Sequence, residues 1–216
     1  MAITTLAELR TAVGNWLVTS YASARIDEWV ALAEGELHGK IMRRGGIRDM
    51  EATADLSLTA DDRDVDLPTR YRGMRRLYLD GSPVRKLNFV PPITYWETYL
   101  STETSKPVAF TIEGDSILFG PIPDATYTGK ILFYQGFAPL TDAAPTNDLL
   151  TNNPQLYLTA TLKWAWTYKA TTQPEGTTWD ALMRDLIDDM IVANNMDRFS
   201  GDVLEIRPDT AISPQF

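Results

Sequence analysis

The sequence predicts an α+β protein: a four-helix bundle with an inserted antiparallel β meander or small sandwich and an extended C-terminal arm. Three observations carry that expectation. Apolar residues recur at helical spacing toward the two ends, over residues 4–43 and 154–199. Between them, over 52–137, short strand-like runs alternate with Gly, Pro and Asp turn signals. The last stretch, VLEIRPDTAISPQF, carries prolines that forbid helix and favour an extended path. The expected division is residues 1–51 with 138–199 for the helices, 52–137 for the β insertion and 200–216 for the arm.

The elements follow in order. Residues 4–19 open on Thr5 and Glu8, the spacing at which the two side chains cap each other's free N–H groups. Leu6, Leu9, Val13, Trp16 and Leu17 then share a face. Over 24–43, Ile26, Trp29, Val30, Ala33, Leu37 and Ile41 share a face, with Asp27, Glu28, Glu34 and Lys40 elsewhere. Gly45 and Gly46 stop this helix, because glycine accepts the left-handed conformation; Arg43 and Arg44 suit its negative end. ATADLSLTADDRDVDLP offers two short strands around an acidic turn. RRLYLDGSPVRKL reads as a hairpin turning at Asp80-Gly81, and PVAFTIEGDSILFGP as another with Gly114-Asp115 at its tip. PPITYWETYLS looks helical between them, its Tyr95, Trp96 and Tyr99 placed to plug one end of the sheet. TGKILFYQ is a further strand, and FAPLTDAAPTNDLLTNN a loop-rich link. A third helix begins at Asn153-Pro154 and runs to about Thr171. It is apolar nearly all round (Leu156, Leu158, Leu162, Trp164, Ala165, Trp166), which predicts burial on several sides. A fourth, ending near Phe199, aligns Trp179, Leu182, Met183, Leu186, Ile187, Met190 and Ile191.

Composition excludes much chemistry. The 216 residues contain no cysteine, which removes disulfides, thiol nucleophiles and thiolate metal sites. The single histidine, His38, excludes a multi-histidine metal site. No run of about 18 apolar residues suggests a membrane span, and MAITTLAELR does not resemble a signal peptide. The formal net charge of −9 disfavours general affinity for a nucleic-acid backbone. The charge is uneven: eleven of the 20 Lys and Arg fall in residues 40–86, whereas 174–216 holds nine acids against three bases. Such a split suits head-to-tail contact between copies, docking on a charged partner, or plain solvated faces.

Candidate sites are few. His38 lies off the apolar stripe without a polar partner at helical spacing, and reads as a boundary histidine rather than a base. Asp61, Asp62, Asp64 and Asp66 resemble half a calcium loop but lack its glycine and closing glutamate, and read as an acidic turn. The basic stretches with Arg43, Arg44 and Arg48 and with Arg70, Arg72, Arg75 and Arg76 read first as partners of nearby aspartates. Their second reading is as contacts to the acids of a neighbouring copy, such as Asp185, Asp188 and Asp189, and phosphate contact ranks third because the chain is acidic overall. Trp16, Trp29, Trp164 and Trp179 fall in helices and read as core rather than as a sugar platform. Nucleophile-elbow, phosphate-loop, dinucleotide and zinc-protease motifs are missing. No catalytic, cofactor or metal residue is therefore expected. In the arm, Val203, Leu204, Ile206, Ile212 and Phe216 are more apolar than a free terminus requires, which points to docking.

Three stretches in one order add to this: RRLYLDGSPVRKLNFV, KPVAFTIEGDSILFGPIPDATYTGKILFYQGFAPLTD and PTNDLLTNNPQLYLTATLKWAW. Their order and spacing, over about residues 65–170, resemble the head-to-tail adaptor (connector) proteins of tailed bacteriophages. That family shows a YxLDGxP hairpin, a KPxxFTIxGxxIxFGPxPD hairpin, a YYQxxxPLT strand end and an NxLLxxxPxLYL helix entry. The chain departs at Asp148, where an aromatic is frequent, and at Phe133, where tyrosine is common.

The resemblance implies a non-catalytic virion protein of the neck, made in the host cytoplasm. It implies a ring, usually dodecameric, beneath the portal protein. Such a ring extends the DNA channel without sequence-specific contact and offers a surface to tail, nozzle or head-closure proteins. The arm would reach the portal, and the basic and acidic regions would pair around the ring. A head-closure or tail-completion role lower in the neck is the near alternative. From other classes stand a small-molecule or carbohydrate-binding module using the aromatic insertion, and an enzyme using His38.

Overall fold

The computed structural model of the chain describes residues 3–169 and 174–198. The first helices are α1 (Leu6–Leu17) and α2 (Ser23–Arg43), followed by a 3-10 turn (Arg48–Met50). Strands β1 (Glu51–Leu58), β2 (Asp64–Asp66), β3 (Tyr71–Leu79), β4 (Arg85–Lys86) and β5 (Asn88–Phe89) come next. Helix α3 (Pro92–Tyr99) precedes β6 (Ala109–Glu113), β7 (Ser116–Gly120) and β8 (Tyr127–Gln135). The chain returns to helix in α4 (Asp148–Asn152), α5 (Pro154–Lys169) and α6 (Pro174–Arg198). The α+β class holds, with six helices and two sheets among the described residues.

The helical ends are set locally. Thr5 and Glu8 form the reciprocal cap at the start of α1. At the end of α2, Gly45 N–H donates to the Met42 carbonyl and Gly46 N–H to that of Ile41, both glycines having positive φ. That pairing satisfies carbonyls the helix itself leaves free. Gly46 has a second reason to lack a side chain: a Cβ there would lie 2.8 Å from the Tyr134 ring.

Helices α1, α2, α5 and α6 bury Leu9, Val13, Trp29, Ala33, Leu37, Ile41, Leu156, Leu162, Met183 and Ile187 in one cluster. The all-round apolar α5 packs against α1, α2, α4 and α6. A side chain such as Leu37 contributes about 1.5–3 kcal/mol when fully buried. Where α2, α5 and α6 meet, Lys40 and Lys163 each bridge Glu36 and Asp180, at 2.5–3.0 Å. Two stripe residues lie outside this core: Trp16, 55% exposed and edge-on to Trp179, and Leu182.

The strands form a sandwich rather than a meander. One sheet has the order β1-β8-β3-β4 and the other β2-β7-β6-β5, mixed because β5 runs parallel to β6. The inner faces share a second core of Leu56, Leu58, Leu77, Leu79, Leu87, Phe110, Ile117, Phe119, Ile131 and Phe133. The acidic turn does not join paired strands. It carries the chain from β1 in one sheet to β2 in the other, with Asp61 at φ 62°. Both expected hairpins form. β3 pairs with β4 around Asp80-Gly81, and β6 with β7 through a two-residue loop in which Gly114 has φ 60°. Helix α3 covers the outer face of the second sheet, with Tyr95 fully buried and its O–H donating to the Phe119 carbonyl at 2.8 Å. Gly120 admits the Tyr95 and Tyr99 rings, since a Cβ would lie 2.7 Å from Tyr99.

Candidate functional site

The link from sandwich to helices is organised by buried polar groups that the helical pattern alone assigns outward. Glu34 is 8% exposed, not on a solvent face. Its Oε1 accepts from Leu140 N–H at 2.9 Å and from the Tyr157 O–H at 3.1 Å. Asn147 Nδ2 donates to the Tyr157 oxygen and to the Ala138 carbonyl, both at 2.7 Å, while its Oδ1 accepts from Leu150 N–H and caps α4. Burial pushes the Glu34 carboxyl above its ordinary range and the Tyr157 hydroxyl well above its own.

His38 belongs to the same junction. Its Nε2 accepts from Phe137 N–H at 2.9 Å, and its ring stacks on Phe137. Burial, then the charge of Arg72, lowers its pKa, so the neutral ring serves as an acceptor. Among the described residues no group of three or more His, Cys, Asp or Glu is placed to hold a metal ion.

A concave apolar surface lies elsewhere among the described residues. A groove of about 450 Å³ opens between the sheets, floored by Tyr71, Met74, Leu77, Leu87, Phe110 and Ile112, with Phe89 at its mouth. Arg75, Arg76 and Lys86 line its rim. It exists because β4 and β5 are two residues each. β4 pairs only with Tyr78 and Leu79, leaving most of β3 partnered by β8 alone; β5 pairs only with Ala109 and Phe110, leaving the rest of β6 to β7. A second exposed apolar feature is formed by Ile93 on α3 and Leu100 at its C-cap, seven residues apart.

The arginines do not form one patch. Arg43, at the end of α2, is exposed and makes no polar contact among the described residues. Arg44 Nε meets Asp188 at 2.6 Å, and Arg48 Nη1 meets Asp197 at 2.6 Å, so part of the basic stretch pairs with α6 of its own chain. Arg70, at φ 59°, donates to the Gly136 carbonyl, and Arg72 lies exposed beside Gly136. Arg75 pairs with Glu51 and stacks over Tyr134. Arg76 is exposed at the groove, and Asp185 and Asp189 are exposed on α6. Val203, Leu204, Ile206, Ile212 and Phe216 lie outside the described residues.

The family described as SU10 adaptor protein matches residues 4–207, across both cores and every described element. The chain belongs to that adaptor family. The resemblance carried by the hairpin and helix-entry motifs therefore holds over nearly the whole length. Membership makes the chain a structural component of a phage particle, a class that contacts other phage structural proteins and is not an enzyme class. Comparison with curated proteins finds no match. Among the described residues no helix is long and apolar enough to cross a membrane.

The adaptor motifs now have physical explanations. Gly81 and Gly114 turn hairpins at positive φ, Gly120 receives α3, and Asn147 and Tyr157 close the Glu34 network. Phe133, one of the departures, is buried and stacks on Tyr71; Asp148, the other, is exposed at the start of α4.

Proposed function

We propose that the chain is a head-to-tail adaptor: a virion protein of the neck that assembles as a ring, usually dodecameric in such proteins, under the portal protein. The ring extends the channel through which DNA passes without sequence-specific contact. The observation that carries the reading is the adaptor-family match over residues 4–207. In this reading the four long helices form a bundle, residues 1–51 and 138–199, that packs side by side around the ring. The β insertion, 52–137, faces neighbours or tail, nozzle and head-closure proteins. The arm, 200–216, docks on the portal through Val203, Leu204, Ile206, Ile212 and Phe216.

Ring contacts use Arg43, Arg44, Arg70, Arg72, Arg75 and Arg76 against Asp185, Asp188 and Asp189. The pairs already closed within the chain leave Arg43, Arg72, Arg76, Asp185 and Asp189 available to reach a neighbour. The test is binding to assembled portal rings, read by complex mass and imaging. One copy per portal subunit, lost on removal of residues 200–216, is expected. Intact portal rings that bind nothing overturn the portal position and favour a head-closure place lower in the neck. The groove is the observation that favours a small-molecule-binding module, which instead predicts ligand-dependent thermal stabilisation of a monomer.

A further inference from the structure

One face of α6 has no partner in its own chain. Met183 and Ile187 enter the helical core, and Asp180 and Asp188 are held by Lys40 and Arg44 of α2. Away from these contacts, Leu182, Asp185, Asp189, Val192 and Met196 recur at spacings of three and four residues, and all five are exposed. That spacing is how a helix presents one face to another helix. The two carboxylates on it make no polar contact among the described residues.

A matching surface lies on α2. Leu32, Gly35, Gly39 and Arg43 follow one another at the same spacings and are exposed. Glycine inside a helix is disfavoured relative to alanine, because it loses more freedom on folding. At Gly46 and Gly120 the fold explains it, since a Cβ would strike an aromatic ring. At Gly35 and Gly39 a Cβ would meet nothing within 4 Å, and neither residue has positive φ. Packing within the chain therefore gives no reason for these two glycines. One turn apart, they leave a shallow notch between Leu32 and Arg43, of the kind that lets a second helix axis come close. Arg43 has no polar contact among the described residues, so the notch ends on an unpaired cation.

We infer that the α6 stripe of one copy packs on the α2 notch of a second copy, with its two aspartates against Arg43. Charge and shape both commit the occupant: an acidic, apolar stripe and a small-residue notch closed by an arginine are exposed on the same chain. They do not meet within one copy, because the sides that α2 and α6 turn to each other carry Lys40–Asp180 and Arg44–Asp188 instead. The stripes also fit in register. Asp189 is the midpoint of the α6 stripe, with Leu182 and Met196 seven residues to either side, and Leu32 lies seven residues before Gly39. With Asp189 opposite Gly39, Leu32 meets Leu182 when the helices run the same way and Met196 when they run opposite ways. Arg43 then stands four residues, about 6 Å, beyond Gly39, within reach of Asp189. The inference rests on the reading that copies of the chain contact one another, and assigns the faces that do so.

The test is Gly35→Leu with Gly39→Leu in the full-length chain. Within one copy these side chains enter open space and favour helix, so the melting temperature is expected to hold or rise. Self-association, read by sedimentation over a concentration series, is expected to weaken by about tenfold. Arg43→Glu is expected to weaken it as well, and Arg43→Glu combined with Asp185→Lys and Asp189→Lys to restore it. A leucine variant that associates as tightly as the parent, or a charge reversal without rescue, overturns the inference. Where the free parent does not associate, the same variants are read by complex mass on assembled portal rings. There the parent is expected to fill rings and the leucine variant to leave them partly filled. A leucine variant that fills rings like the parent overturns the inference and leaves the adaptor reading standing. One that still self-associates but no longer binds portal gives the face to another particle protein and also overturns it. A parent that neither associates nor binds portal overturns the adaptor reading and the inference together.

Discussion

Glu34 offers the sharpest test of how the sandwich is fastened to the helices. Replacement by alanine removes the carboxylate, whose Oε1 alone accepts both bonds, and strands two donors, Leu140 N–H and the Tyr157 O–H, in a buried site. Each stranded group costs about 1–3 kcal/mol. Glu34→Ala should therefore destabilise by about 2–6 kcal/mol. Glu34→Gln behaves differently, because both hydrogen bonds go to the same oxygen, Oε1, and an amide carbonyl can accept both. The amide also removes a charge that burial disfavours. Its cost near neutral pH should be below about 1 kcal/mol or of opposite sign.

The pH dependence follows from the direction of the shift. Burial raises the folded-state pKa of Glu34 above its ordinary 4.5, against the weaker opposing pull of its two donors. The folded state thus holds this proton more tightly than the unfolded chain. The resulting penalty is absent below the unfolded value, grows as pH rises through the window between the two, and is complete above the folded value. The stability difference between Glu34→Gln and the parent should move toward the variant from about pH 4 to about pH 7. Denaturant unfolding of the parent and both variants across that range reads it. A glutamine variant as damaged as the alanine variant, or a difference that stays flat with pH, refutes the argument.

Asp180 should show the opposite sign. Hydrogen bonding to Lys40, then to Lys163, holds its carboxyl well below the usual range. Asp180→Asn should cost about 1–3 kcal/mol near neutral pH, with the deficit vanishing as acid titrates the parent below the ordinary 3.8, as followed by unfolding at both pH values. Gly46→Ala meets both a φ of +70° and the Tyr134 ring, whereas Gly45→Ala meets only its φ of +94°. Thermal unfolding should rank Gly46→Ala the worse by about 1–2 kcal/mol. Gly120→Ala should push α3 outward and speed amide exchange across Pro92–Tyr99 while leaving that of α2 unchanged. Ile93→Asp on α3 with Leu100→Asp at its C-cap should alter stability by no more than about 0.5 kcal/mol each, yet weaken capture of other phage structural proteins in a pull-down.

Features governed by neighbours in sequence were legible. Thr5 with Glu8, the paired glycines after α2 and the glycine of the β6–β7 loop each act within a few residues, so residue type and spacing suffice. Features governed by distant chain were not. Glu34 was assigned outward because its burial is created by Leu140, 106 residues away. Trp16 fits the apolar spacing of α1, but its burial depends on how far the other helices extend past it, and it stays 55% exposed with Trp179 edge-on to it. The acidic turn looked like a local reversal, although its two strands belong to different sheets. Helix α4 has five residues, too few to show a period, and its signal was the Asn147 cap. The groove was invisible for a related reason: it arises from how little of β3 and β6 the short strands β4 and β5 cover, a matter of pairing rather than composition.

The two passages between helices and sandwich explain why a chemically silent sheet belongs on this protein. On the outward passage, Gly46 packs on Tyr134, Arg48 is held by α6, and Glu51 is held by Arg75. On the return, Phe137, Ala138 and Leu140 are bonded to His38, Asn147 and Glu34. A single passage would act as a hinge. With both passages bonded, rotation of the sandwich against the helices must break several partly or fully buried hydrogen bonds, at about 1 kcal/mol each. An adaptor-family chain contacts other particle proteins, and any swivel between its contact surfaces would have to be frozen on docking, at a cost in affinity. The polar junction supplies that order in advance. This is why Glu34 and Asn147, rather than any residue of a reactive kind, sit where the sandwich meets the helices.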